Sequence, residues 1–173
     1  GNSFELAFSK DKANLRKEWL KHYDKTNIIS NDVKKINYTD FINKELIHFS
    51  NDDTHRSIPN VIDGLKPSQR KILYGAFMRN LDKSEIKVSQ LSGFVSDKAC
   101  YHHGEASLNG AIIGMASNYV GSNNIEWLVP NGQFGTTIQG GKDHASPRYI
   151  WTSINKIITK IIRKEDTEIL TYN

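Results

Sequence analysis

A chain of 173 residues with one cysteine, Cys100, has room for one domain plus a flanking segment; it cannot form an internal disulfide, and a core of this size does not need one. No apolar run approaches the roughly 20 residues that span a bilayer, and the N-terminus has no signal-peptide pattern, so the expectation is an internal protein in a reducing compartment with no membrane partner. The 23 basic residues exceed the 19 acidic ones by four, too small an excess to assign a nucleic-acid partner by itself.

In chain order, Ser9 precedes KDKANLRKEWLKHY, where Leu15, Trp19 and Tyr23 recur every four residues among charges. This predicts an amphipathic helix with a serine N-cap. The stretch DKTNIISNDVKKIN has no sustained period and reads as a linker. The triplet at Asn37 that matches a glycosylation acceptor has no secretory context and reads as chance. Thr39 is placed to cap a second helix, DFINKELIHF, with Ile42, Leu46 and Phe49 on one face, and SNDDTH is expected to break it. In GLKPSQRKILYGAFMRN, Pro67 stands where a first helical turn accepts it, and Ile72, Leu73, Ala76 and Phe77 follow at helical spacing. Between Arg56 and Gln90, seven basic residues stand against three acidic ones, an excess equal to that of the whole chain. A local basic surface suits phosphate binding through counterion release, and a solvated helix face gives similar numbers, so charge alone leaves both readings open.

Two further helices are predicted, KVSQLSGFVSDK with Val88, Leu91 and Val95 aligned, and EASLNGAIIGMASNYV with Leu108, Ile112, Met115 and Tyr119 aligned. A short connector between them is compatible with a helix-turn-helix. After Val120 two short apolar runs, Ile125 to Val129 and Tyr149 to Trp151, flank a Gly-rich loop. The expected fold is therefore α+β and mainly helical: a CAP-like winged helix, helix-turn-helix plus a small β wing. The segment NKIITK starts as a helix, and no internal repeat is visible.

Three constellations invite chemistry. GTTIQGGKD fails as a phosphate-binding P-loop, because Gly141 follows Gly140 where the motif has Lys, and Lys142 is followed by Asp143 rather than a hydroxyl residue. Cys100, His102, His103 and Glu105 cluster, but zinc sites pair ligands from two segments and no second cluster exists, so no metal site is expected. These histidines instead precede a helix N-terminus, a place that attracts phosphate. The third is GGKDHASPRYIW, in which Arg148 precedes Tyr149. A phenol with a pKa of about 10 needs a base or a cation to act as a nucleophile, yet it leaves a phosphate ester far more readily than an aliphatic alcohol does. A tyrosine attacking a phosphodiester thus makes a bond that the displaced sugar hydroxyl can reverse. Arg148 would stabilise charge on the equatorial oxygens, and a flexible glycine-rich loop would bring both groups to DNA. The dipeptide alone is common and proves nothing.

Taken together, RSIPNVIDGLKPSQRKILYGAF, KVSQLSGFVSD, YHHGEASLNGAIIGMASNYVGSNNI and PNGQFGTTIQGGKDHASPRYI, with ELAFSKDKANLRKEWL and YTDFINKEL upstream, resemble the breakage-and-reunion region of eukaryotic-type DNA topoisomerase II over nearly the whole chain. The resemblance implies that Tyr149 becomes linked to the 5′-phosphate of cleaved DNA and that Arg148 stabilises the transition state. It implies DNA contacts by Lys10, Arg56, Lys66, Arg70, Tyr101, His103 and Lys142. It further implies double-stranded DNA as partner, a homodimer, nuclear location, and Mg2+ and ATP used by a full-length enzyme. The family's metal-holding acidic signatures, its ATPase domain, its tower helices and its coiled-coil gate are absent here, so the resemblance implies a fragment that is inactive alone. Residues 1–36 are expected to leave the TOPRIM domain, 37–158 to form the winged-helix cleavage domain, and 159–173 to begin the tower. The alternatives are a winged-helix module that binds DNA without catalysis and a dimerisation domain whose basic face is merely solvated.

Overall fold

In a computed structural model that describes residues 1–101, 104–163 and 165–166, the chain divides into two units, Gly1–Lys66 and Pro67–Asn173. In the first, helix α1 (Asn2–Phe8) leads into a 3-10 turn (Lys10–Lys12) and helix α2 (Ala13–Lys21). Ser9 makes no side-chain cap, and α1 is an element that the periodicity did not reveal. What joins the two helices is Arg16, whose guanidinium donates to the carbonyls of Leu6 at 3.0 Å and Ser9 at 2.6 Å, satisfying acceptors that the end of α1 leaves open.

Helix α3 (Tyr38–Phe41) runs through a π-helical turn (Ile42–Leu46) into α4 (Ile47–Ser57). Its cap is Asn37 rather than the expected Thr39: the Asn37 side chain accepts the Asp40 amide at 2.8 Å, the third residue of the first turn. The break expected at SNDDTH does not occur. Thr54 returns its hydroxyl proton to the Ser50 carbonyl at 2.8 Å, and Arg56 and Ser57 both donate to Asp53, so these polar side chains bond within the helix instead of unwinding it. Trp19 donates to Asn43 at 2.9 Å and Tyr23 hydrogen-bonds with His48 at 3.1 Å, which ties α2 to this long helical segment over the buried Ile42 and Ile47. A closed loop follows α4, in which Asn60 donates its amide to the Leu65 carbonyl at 3.0 Å and Asp63 accepts the Leu65 amide at 2.9 Å, and Lys66 stands at its end.

The second unit contains α5 (Pro67–Met78), β1 (Ile86–Lys87), α6 (Val88–Lys98), α7 (Glu105–Ala116), β2 (Leu128–Asn131), β3 (Trp151–Ile154) and α8 (Ile158–Ile161). Helices α5, α6 and α7 pack on one another around Ile72, Ala76, Val88, Leu91, Val95, Leu108 and Ile112, all with no solvent exposure. Apart from Ala76, each of these side chains contributes on the order of 1.5–3 kcal/mol. The sheet is antiparallel in the order β1-β3-β2, with Ile86 opposite Thr152 and Leu128 opposite Ile154. Strand β1 is too short to show an alternation, and β3 starts only at Trp151, the last residue of the apolar run that predicted it. Its buried positions are Thr152 and Ile154, and the first is polar, its hydroxyl donating to the Val129 carbonyl at 2.9 Å, which weakens the strand signal. The unit is a helix-turn-helix backed by a small sheet, the α+β winged-helix arrangement.

Candidate functional site

Residues 132–150 connect β2 to β3 and carry the third constellation. Phe134 is buried and anchors the start of the loop, its carbonyl accepting the Ser117 hydroxyl at 3.4 Å. Two glycines then let backbone meet backbone. A Cβ on Gly135, whose φ is +105°, would lie 2.5 Å from the Gly141 Cα, and a Cβ on Gly141, φ +81°, would lie 2.6 Å from the Tyr119 hydroxyl. The glycines therefore serve close approach rather than looseness. The Asp143 carboxylate accepts the Thr136 amide at 2.8 Å and the Thr136 hydroxyl at 2.9 Å. The amide bond above all, and the hydroxyl with it, hold this carboxyl below the usual aspartate range, so it is ionised at neutral pH. The loop expected to be flexible is cross-braced.

Beyond the brace the chain makes a turn, Tyr149 donating its amide to the Ser146 carbonyl at 2.8 Å. The carbonyls on either side of Arg148-Tyr149 are both taken: Ser89 donates its amide to Pro147 at 3.1 Å and Val88 donates to Ile150 at 3.0 Å. These donors belong to the first turn of α6, where amides have no acceptor within the helix. Ile150 is buried, whereas Arg148 is exposed and Tyr149 is 73% exposed. Tyr149, which the apolar run placed in a strand, instead stands before β3 with its side chain in solvent. The Arg148 guanidinium carbon lies 6.0 Å from the centre of the Tyr149 ring, at the limit of a cation–π contact. An exposed phenol beside an exposed, permanent cation, both held by backbone bonds at their flanks, can meet an anionic substrate without a collapse of the chain around it.

The sequence profile for the A-type polypeptides of DNA gyrase and topoisomerase IV matches residues 56–173. The chain belongs to that family. A second profile, the C-terminal associated domain of TOPRIM, matches residues 1–54 of this gyrase/topoisomerase family member. It is 56% identical to the DNA topoisomerase 2 of Saccharomyces cerevisiae over 97% of its length, and 52% identical, again over 97%, to a mitochondrial DNA topoisomerase 2 of Dictyostelium discoideum. Among solved structures it resembles the DNA-binding, cleavage and re-ligation domain of Plasmodium falciparum topoisomerase II, with 48% identity and a TM-score of 0.81 over the whole chain. The chain spans 12% and 13% of the two curated relatives and 24% of the solved chain.

The remaining candidate residues of this topoisomerase family member fall in both units. Lys10 opens the 3-10 turn and is exposed; Arg56 lies in the last turn of α4, paired with Asp53 at 2.9 Å; Lys66 ends the first unit, half-buried. Arg70 is exposed on α5, Lys142 is exposed on the braced loop, and Tyr101, half-buried before α7, hydrogen-bonds through its hydroxyl with Ser107 at 3.3 Å. His103 lies outside the described residues. Arg148 and Tyr149 are brought side by side, the guanidinium over the ring. Sequence reasoning missed Thr136, Asp143, Val88 and Ser89, which fix the loop and the turn. A loop aspartate seven residues after a threonine carries no periodic signal, and the two α6 residues act through backbone amides that every residue but proline has.

Proposed function

We propose that this chain is the DNA-cleaving part of a longer type II DNA topoisomerase, in which the Tyr149 oxygen attacks a phosphorus of double-stranded DNA. The new bond joins that oxygen to phosphorus, and the bond from phosphorus to the 3′-oxygen breaks. The phenolic proton passes to water and the departing 3′-oxygen takes one up, leaving a free 3′-hydroxyl and a 5′-phosphotyrosyl link. Resealing is the reverse: the 3′-hydroxyl attacks, and the phenol departs readily because its pKa of about 10 is far below that of a sugar alcohol. Arg148 offers its guanidinium to the equatorial oxygens as charge develops. Lys10, Arg56, Lys66, Arg70, Tyr101, His103 and Lys142 hold the DNA backbone near the reacting phosphate. The observation that carries this reading is the exposed Arg148-Tyr149 pair pinned at both flanks to α6.

Among the described residues no three His, Cys, Asp or Glu side chains gather closely enough to hold a metal ion. The described groups therefore do not form a magnesium site, and no step above runs through one. Use of Mg2+ and ATP belongs, on this proposal, to the longer homodimeric protein. Action in the nucleus is proposed as well, although the Dictyostelium relative is a mitochondrial one. Residues 1–36 are proposed as the exit from a TOPRIM domain, 37–158 as the cleavage domain and 159–173 as the start of a tower.

The deciding measurement is a denaturing gel of the full-length protein with DNA labelled at either the 5′ or the 3′ end. Tyr149→Phe removes one exposed oxygen and leaves the ring, so it should keep DNA binding and lose the covalent adduct. An adduct that survives the substitution would sink the proposal, and protein attached to a 3′ end would move the chain to another class of chemistry.

A further inference from the structure

The loop that delivers Arg148 and Tyr149 is fastened by a group that takes no part in the reaction proposed above. Asp143 accepts the Thr136 amide through Oδ1 at 2.8 Å, the Thr136 hydroxyl through Oδ2 at 2.9 Å and, more distantly, the Gln133 side-chain amide at 3.4 Å. Below this clasp the neck closes through the Ala145 amide, which donates to the Gln133 carbonyl at 2.9 Å. Above it the Gly141 amide donates to the Thr136 carbonyl at 3.0 Å. Between Ala145 and Arg148 only Ser146 and Pro147 intervene. Two residues cannot absorb a shift of the neck, so a displacement at Asp143 is passed to the turn that carries the phenol. An ionised carboxylate answers both donors of Thr136 with one oxygen for each, and hydrogen bonds to a charged acceptor are the stronger kind.

We infer, resting on the reading of Tyr149 as nucleophile, that Asp143 is a positioning residue, which by clasping Thr136 fixes the base of the turn from which Arg148 and Tyr149 meet the phosphate. In-line attack places strict demands on the angle between the entering and leaving oxygens. A nucleophile misplaced by about 1 Å from a site remote from the chemistry loses on the order of a hundredfold in rate. Asp143 has no need to touch DNA for this effect. The clasp therefore acts on the rate of bond formation and hardly on affinity.

The test uses the full-length protein and measures two quantities separately: the single-turnover rate of adduct formation at saturating protein, and the affinity for the same duplex. Asp143→Ala should slow the adduct by about tenfold to a hundredfold, with affinity unchanged. Asp143→Asn keeps an acceptor for the Thr136 amide and can donate to the Thr136 hydroxyl, so it should restore most of the rate. Thr136→Val keeps the amide and deletes the hydroxyl, giving a smaller loss. The double variant Thr136→Val with Asp143→Ala should be no slower than Asp143→Ala alone, since both remove one interaction. A wild-type rate in Asp143→Ala overturns the inference, as does a loss of rate matched by an equal loss of affinity. If Asp143→Ala does not fold, Thr136→Val decides, and a rate equal to wild type there overturns it equally. Tyr149→Phe run alongside separates the two claims: an adduct retained in Tyr149→Phe removes the nucleophile reading itself, whereas an adduct lost there but formed normally in Asp143→Ala removes only the role of Asp143.

Discussion

At Arg148 the question is what a guanidinium supplies that another cation would not. Its planar fork can hold two phosphate oxygens at once, while an ammonium offers a point charge on a freely rotating stem. Arg148→Lys keeps the charge in an exposed position, so binding should change little. The adduct should form about tenfold more slowly, a difference of about 1.4 kcal/mol in the barrier. Single-turnover kinetics on end-labelled DNA would check this, and an unaltered rate would leave Arg148 with only a general electrostatic role. This pair was legible in the sequence as a candidate, through the reactivity of a phenol beside a guanidinium together with the motifs around it. Its surroundings were not. The run Tyr149 to Trp151 has the composition of a strand, yet Tyr149 is exposed and the buried strand positions are Thr152 and Ile154. Composition cannot register that the carbonyls of Pro147 and Ile150 are occupied by α6 amides.

Among the elements, the three packed helices announced themselves, because aliphatic residues recur on one face of each. The breaks and caps were less legible. Thr39 and Asn37 are both competent caps, and the choice between them depends on which amide lies within reach; SNDDTH reads as a breaker unless its side chains bond along the helix, as they do here. Glycines were the least legible of all, since the same residue serves opposite ends. Gly93 lies exposed on α6 with open space around its missing side chain, so Gly93→Ala should raise stability by about 0.5–1 kcal/mol through helix propensity. Gly135→Ala forces a left-handed backbone and a contact with the Gly141 backbone, so it should cost more than about 1 kcal/mol. Urea unfolding midpoints of the two variants should thus move in opposite directions, and a shift of the same sign would show that the loop yields freely. The clasp at Asp143 also has a sign in pH. Its folded carboxyl titrates below the unfolded one, so its contribution is present above the ordinary aspartate range and disappears as pH falls through the lowered value.

Over the whole molecule, the basic residues proposed to grip DNA are divided between the two units, Arg56 and Lys66 in the first and Arg70 in the second. If each neutralises one phosphate, replacing all three with Ala should flatten the slope of log affinity against log salt by about 2.7. A slope that stays the same would take all three off the DNA surface. The order of the sheet has a consequence of another kind, in the history of the molecule rather than its working state. The central strand, β3, is the last of the three in the chain, and β1 pairs with it across the whole of α6, α7 and β2. Helices α5 to α7 can form and pack early from nearby contacts, but the amides of Val88 and Ser89 receive their partners only when the far end of the unit returns, after the cost of closing that long segment has been met. A chain still emerging from the ribosome therefore has a helix bundle before it has a reactive turn, and its phenol and arginine take their places only as the sheet closes. On the proposed chemistry, a copy whose sheet has not yet closed lacks the placed pair that the covalent step needs.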